Sequence, residues 1–221
     1  MNVLVLGLYA EGRTDERFLP VVIRRTAQQI LNLHDRMDIE AQDPIIIRKN
    51  SNTPTLDQCI LQAAQQAYNY DALVVHSDGD DRDHKQTLHE RFYPGYELVQ
   101  RTEGYFCKQL VPIIPIRMVE AWMLADPEAL KKVMKIRADL RTLGVPEKAK
   151  LVESVTYPKE TLSQVIQKVY PGQPHLRSQI KAELYEKLAP VISLDRLNQV
   201  PSYKQFVSDM TVTLKTFNFI Q

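Results

Sequence analysis

At 221 residues the chain can bury a sizeable core in one domain, or in one with a smaller appendage. Its two cysteines, Cys59 and Cys107, are too few for a disulfide framework or a thiolate zinc site, and no run approaches the ~20 apolar residues of a membrane span, which argues against secreted disulfide scaffolds and membrane proteins. The net charge of +1 hides an asymmetry: residues 1–126 carry 13 Lys+Arg against 18 Asp+Glu, and residues 127–221 carry 15 against 9.

The opening apolar run is too short, and lacks the basic flank, to be a secretory signal, so the expectation is a soluble protein of a reducing cytoplasm. That run, Val3-Leu4-Val5-Leu6-Gly7-Leu8, reads as a buried strand and leads into Glu11-Gly12-Arg13-Thr14-Asp15-Glu16. Thr14 is suited to cap the helix that follows, with Asp15 and Glu16 favourable in its first turn. Apolar residues at helical spacing (Phe18, Val22, Ile23, Ala27, Ile30, Leu31) carry that helix to about Leu33. Pro44 to Ile47 is a second strand, Leu56 to Ala67 a second helix after Thr53-Pro54-Thr55, and Ala72 to Val75 a third, buried strand. The alternation predicts parallel strands joined by right-handed crossovers.

Pro94-Gly95 reads as a break before a helix over Tyr96 to Cys107. A fourth strand, Leu110 to Ile116, contains Pro112 and Pro115, which predicts an edge or irregular strand. Helical segments follow: Met118 to Ala125, one started by Asp126-Pro127, and stretches near Pro158–Val169, Ser178–Leu188 and Pro201–Leu214. The predicted fold is α/β, a mostly parallel sheet of about four strands flanked by helices over 1–126, with a helical C-terminal region over 127–221.

The most informative stretch is Val74-Val75-His76-Ser77-Asp78-Gly79-Asp80-Asp81, a cluster of carboxylates at the end of a buried strand. Unmetallated, these acids repel one another; a hard divalent cation with oxygen ligands offsets the repulsion. Glu11 sits at the end of the opening strand, so if the two strands are neighbours, Glu11 and the aspartates converge at the carboxyl edge, where open α/β sheets bind ligands. Asp81 and Asp83 read as accessory, and His76 as a packed strand histidine. Glu120, in the apolar segment Met118 to Leu124, needs a partner when buried: Arg117, another basic group or a metal. Trp122 reads as core and Asp126 as a helix cap. Lys159, just after Pro158 at a helix start, opposes the helix dipole, a mild misfit that suits contact with a phosphate or a leaving oxyanion, although an ordinary exposed lysine is the reading the residues favour.

Glu11-Gly12 followed by Asp78-Gly79-Asp80 resembles the Toprim superfamily, whose signature is a strand ending in Glu-Gly, a helix, and later a strand ending in Asp-x-Asp. More narrowly, Glu11-Gly12-x-Thr14-Asp15, Asp78-Gly79-Asp80-Asp81, Val119-Glu120-Ala121-Trp122-Met123-Leu124-Ala125-Asp126, Pro158-Lys159-Glu160 and Ser202-Tyr203-x-x-Phe206 look like a group of bacterial Toprim-like proteins of uncharacterised function. The resemblance implies Mg²⁺- or Mn²⁺-dependent phosphoryl transfer with Glu11, Asp78 and Asp80 as metal ligands and Glu120 and Lys159 as further catalytic residues. It implies nuclease cleavage of DNA or RNA, in phage defence or DNA repair, with a separate ATPase partner; a homodimer is compatible with it. The acidic first part and basic second part fit a nuclease, although lysines on solvated helix faces give the same count. A topoisomerase would need further domains, a primase usually brings zinc modules, and a dehalogenase-like phosphatase places Asp-x-Asp after its first strand. The alternative from another class is a non-catalytic module that binds nucleic acid or an ATPase.

Overall fold

The computed structural model describes residues 2–48, 55–79 and 84–220. The opening run forms two short strands, β1 (Asn2–Leu4) and β2 (Leu6–Tyr9), and a similarly divided partner runs beside them as β3 (Ile39–Ala41) and β4 (Ile45–Ile47). β1 pairs with β3, and β2 with β4, both parallel. The interruption at Val5 has a local cause. Asp71 occupies the place of the next strand there: Val5 N–H donates to Asp71 Oδ2 at 2.7 Å while Asp71 N–H donates to the Val5 carbonyl at 2.9 Å.

Helix α1 (Asp15–Leu33) returns the chain from β2 to β3, and α2 (Leu56–Gln66) leads to β5 (Ala72–His76). The last strand is β6 (Leu110–Ile113), and the main sheet has the order β4-β2-β5-β6 with every neighbouring pair parallel. β6 is an edge strand, as its prolines predict; Pro112 pairs opposite Val75. The strand order reverses direction between β2 and β5, because the chain leaves β2 toward β4 on one side and later arrives at β5 on the other. Open α/β sheets bind their ligands outside the carboxyl ends of the strands at such a reversal.

Alternation along the strands assigns each face its core. Leu6, Leu8, Ala72, Val74, Val111 and Ile113 point into one apolar cluster that continues through α1 to the C-terminal helices, and Tyr9, Leu73, Val75 and Leu110 into another, under α2. The second face is also covered by a helix that the Pro-Gly signal does not foretell. α3 (His84–Thr87) passes through a one-turn π segment (Leu88–Phe92) into α4 (Tyr93–Arg101), so Pro94 and Gly95 lie in the first turn of α4 and break nothing. The helix runs on through Pro94, which has no N–H to donate to the turn before it and lies directly after the π segment. Gly95 faces α2 so closely that a Cβ would stand 2.9 Å from Ile60 Cβ.

The C-terminal region comprises α5 (Val119–Met123), α6 (Pro127–Met134), two 3₁₀ turns (Leu140–Leu143 and Ala149–Ser154), α7 (Pro158–Val169), α8 (Pro174–Leu188), α9 (Leu194–Leu197) and α10 (Pro201–Thr216). Asp126 caps α6 as expected, its Oδ1 accepting from Ala129 N–H at 3.0 Å, and its Oδ2 accepts from Ser193 N–H at 2.9 Å. Thr14, by contrast, makes no side-chain cap on α1. Trp122 is fully buried; its Nε1–H donates to Ser202 Oγ at 2.8 Å and its ring meets Tyr203 edge-on at 5.3 Å. The Glu-Ala-Trp and Ser-Tyr-x-x-Phe stretches are thus two sides of one aromatic seam. No helix among the described residues is long and apolar enough to cross a membrane.

Candidate active site

The register of β2 and β5 sets Tyr9 beside Val75, so two residues further on Glu11 falls beside Ser77 and Asp78. The side chains complete what the register begins. Glu11 Oε2 accepts from Ser77 Oγ at 3.1 Å and from Asp78 N–H at 3.2 Å, which ties the end of the first core strand to the end of the third. Glu11 Oε1 accepts from Arg91 Nη2 at 2.5 Å, and Arg91 Nη1 lies 3.5 Å from the Asp78 carbonyl. Gly79 N–H donates to the Pro115 carbonyl at 2.9 Å, so the turn after β5 rests on the turn after β6.

Behind Asp78 lies a buried polar group. His76 is fully buried at the end of β5, with Nε2 3.3 Å from Asp78 Oδ1 and Nδ1 3.7 Å from Asp15 Oδ2. Among the described residues neither ring nitrogen, nor Asp78 Oδ1, makes a hydrogen bond of good geometry. Asp15 stands in the first turn of α1, buried, and its pKa is pushed up to about 6. Burial is the main cause, His76 opposes it, and the charges of Asp78 and Glu120 add to it.

Glu120 is 4% exposed, and the Tyr185 hydroxyl donates to its Oε1 at 2.6 Å. Arg117, one of the partners expected for it, donates from Nη1 to the Thr156 carbonyl at 3.4 Å. Arg117 also holds φ 69°, an uncommon conformation for a non-glycine residue, at the carboxyl end of β6. Burial raises the Tyr185 hydroxyl pKa, and the bond to Glu120 raises it further. Lys159 is exposed on the first turn of α7, and its ammonium has no partner among the described residues. The fold therefore unites Glu11 with Asp78 and brings Glu120 near Asp15, while Lys159 stands apart from these contacts. Asp80, Asp81 and Asp83 lie outside the described residues.

Carboxylate oxygens from Glu11 and Asp78 are the hard donors that Mg²⁺ or Mn²⁺ takes, so the donor set fits such an ion. Among the described residues no three His, Cys, Asp or Glu side chains form a metal cage, and Asp80, the third ligand expected from the sequence, lies outside them.

A family model described as "Domain of unknown function (DUF4276)" matches residues 10–211. The chain belongs to the DUF4276 family. Comparison with curated proteins and with solved structures gives no match.

Three members of this DUF4276 site escape sequence reasoning. Arg91 lies in a polar stretch with no spacing signal, and its reach to Glu11 depends on the π turn that carries it. Asp15 reads as an ordinary first-turn acid, and His76 as a packed strand residue. A signal for His76 was present all the same, because strand alternation puts it on the α1 face, where the start of α1 must also lie.

Proposed function

We propose that this DUF4276 chain is a metal-dependent phosphodiesterase of the Toprim type that cleaves DNA or RNA. The observation carrying the proposal is the junction of Glu11 Oε2 with Asp78 N–H and Ser77 Oγ, at the carboxyl edge where the strand order reverses. The carboxylate of one acid reaches the backbone of another that lies 67 residues away in sequence. Glu11, Asp78 and Asp80 would hold Mg²⁺ or Mn²⁺. When bound, the ion supplies a Lewis acid for a phosphate oxygen. The chain's own groups orient and neutralise. Arg91 fixes the Glu11 carboxylate, and its guanidinium, 24% exposed, stands at the edge where a phosphate would enter. The basic residues of 127–221 would hold more distant phosphates, and a separate ATPase partner and a role in phage defence or DNA repair belong to the same reading.

The test is incubation with single- and double-stranded DNA and RNA in Mg²⁺ or Mn²⁺, beside Glu11→Gln and Asp78→Asn. Metal-dependent cleavage lost by at least a hundredfold in both variants is the expected outcome. Cleavage that survives both removes the site.

One observation favours a second reading, a non-catalytic module that binds nucleic acid or an ATPase. Both oxygens of Glu11 are already engaged by protein groups, as in a structural ion pair. On that reading no cleavage occurs, and Glu11→Gln lowers the melting temperature while binding persists.

A further inference from the structure

We propose that His76 is a positioning residue for Asp78: Nε2–H is donated to Asp78 Oδ1, Asp15 braces the ring at Nδ1, and Asp78 Oδ2 is thereby kept turned to the open edge. The role rests on the reading of Asp78 as a cation ligand. Three independent observations carry it. The imidazole is fully buried between two carboxylates, at 3.3 Å and 3.7 Å, and a buried ring nitrogen left without a partner is costly. The Asp78 side chain is 32% exposed although its Oδ1 is buried, which leaves Oδ2 as the oxygen on the open side. Finally, a Cβ on residue 12 would stand 2.5 Å from Asp15 Oδ2, so Gly12 leaves the room in which the Asp15 carboxylate reaches toward the ring.

The second acid of the motif is thus aimed by groups that never touch the ligand. Outer partners that orient a metal-binding carboxylate or imidazole tune affinity through geometry alone. The proposed donation from Nε2 to Asp78 is a property of the protein itself and can be read without metal or substrate.

Two measurements test it. In ¹⁵N-histidine-labelled, metal-free protein, the His76 signal, assigned by its absence from His76→Gln, is expected to show a protonated Nε2; a bare Nε2 overturns the proposal. Mn²⁺ binding followed by electron paramagnetic resonance is expected to weaken about tenfold to a hundredfold in His76→Leu. His76→Gln, whose amide N–H replaces Nε2–H, is expected to recover most of that loss. Affinity unchanged in His76→Leu but lost in Asp78→Asn overturns the positioning role and leaves the ligand reading standing. Wild-type protein whose Mn²⁺ binding is absent, or indifferent to Asp78→Asn, overturns both.

Discussion

Asp15 ties the stability of this protein to pH in a direction opposite to that of an ion-paired carboxylate. The folded protein keeps its proton up to about pH 6, whereas the ordinary value is 3.8, so between these values the folded state binds more protons than the unfolded chain. Stability from this group therefore falls as pH rises through that window and stays low above it. Asp15→Asn removes the ionisation. In metal-free protein the variant is expected to gain on the order of 3 kcal/mol over wild type at pH 7, and little at pH 4. Urea unfolding at the two pH values checks this, and an equal difference at both would show that burial of the charge is not the cause. A residue of this kind is hard to read in a sequence. Glu11 and Asp78 were legible because glycine and a buried strand flank each; Asp15 acquires its character from burial, to which the charges of Asp78 and Glu120 add and which His76 opposes, and only the fold brings the end of β5 and α5 near it.

At the scale of elements, α2 and α4 are held at a distance set by one missing side chain. Gly95→Ala would bring a Cβ within 2.5 Å of Ile60 Cδ1 and 2.9 Å of Ile60 Cβ, and the second of these atoms is fixed to the α2 backbone. The expected cost is about 1–3 kcal/mol, as for other overpacked contacts. For a chain of this size each kcal/mol lowers the melting temperature by about 2–4 °C, which thermal unfolding would register. A melting temperature equal to wild type would mean that the helices separate freely. Most elements could be found from periodicity: α1, α2, β4, β5 and α7 begin and end close to where apolar spacing and proline place them. β3 could not, because Ile39-Glu40-Ala41 is too short to carry a pattern. The division of the opening strand was equally hidden, since it depends on the Asp71 carboxylate meeting the Val5 amide.

For the whole molecule, the aromatic seam gives a reporter. Trp122 is the single tryptophan, fully buried where α5 meets α10, and Tyr203 extends the seam to α1 through a 2.7 Å hydrogen bond between its hydroxyl and Thr26 Oγ1. Because one apolar cluster runs from the sheet into these helices, tryptophan fluorescence and far-ultraviolet circular dichroism are expected to unfold with the same midpoint. Separate midpoints would mean that the helical region melts apart from the sheet. Some cations of 127–221 are paired within that region, Lys131 with Glu128 at 2.6 Å and Arg141 with Asp139 at 2.7 Å, which leaves its excess of cations over acids unchanged. On the proposed nuclease reading, nucleic-acid binding through the cations of this region is expected to weaken steeply with salt.

The π turn at Leu88–Phe92 has a practical implication. A turn of this kind holds one residue more than the α-helix around it, and that surplus rotates Arg91 relative to the helical residues that follow. Deleting a single residue within it is expected to remove that surplus and turn α3 and Arg91 relative to α4, whose apolar face stays on α2. Such a shortened protein should keep its secondary structure while the Glu11 carboxylate loses its guanidinium, so architecture and chemistry become separable by one codon.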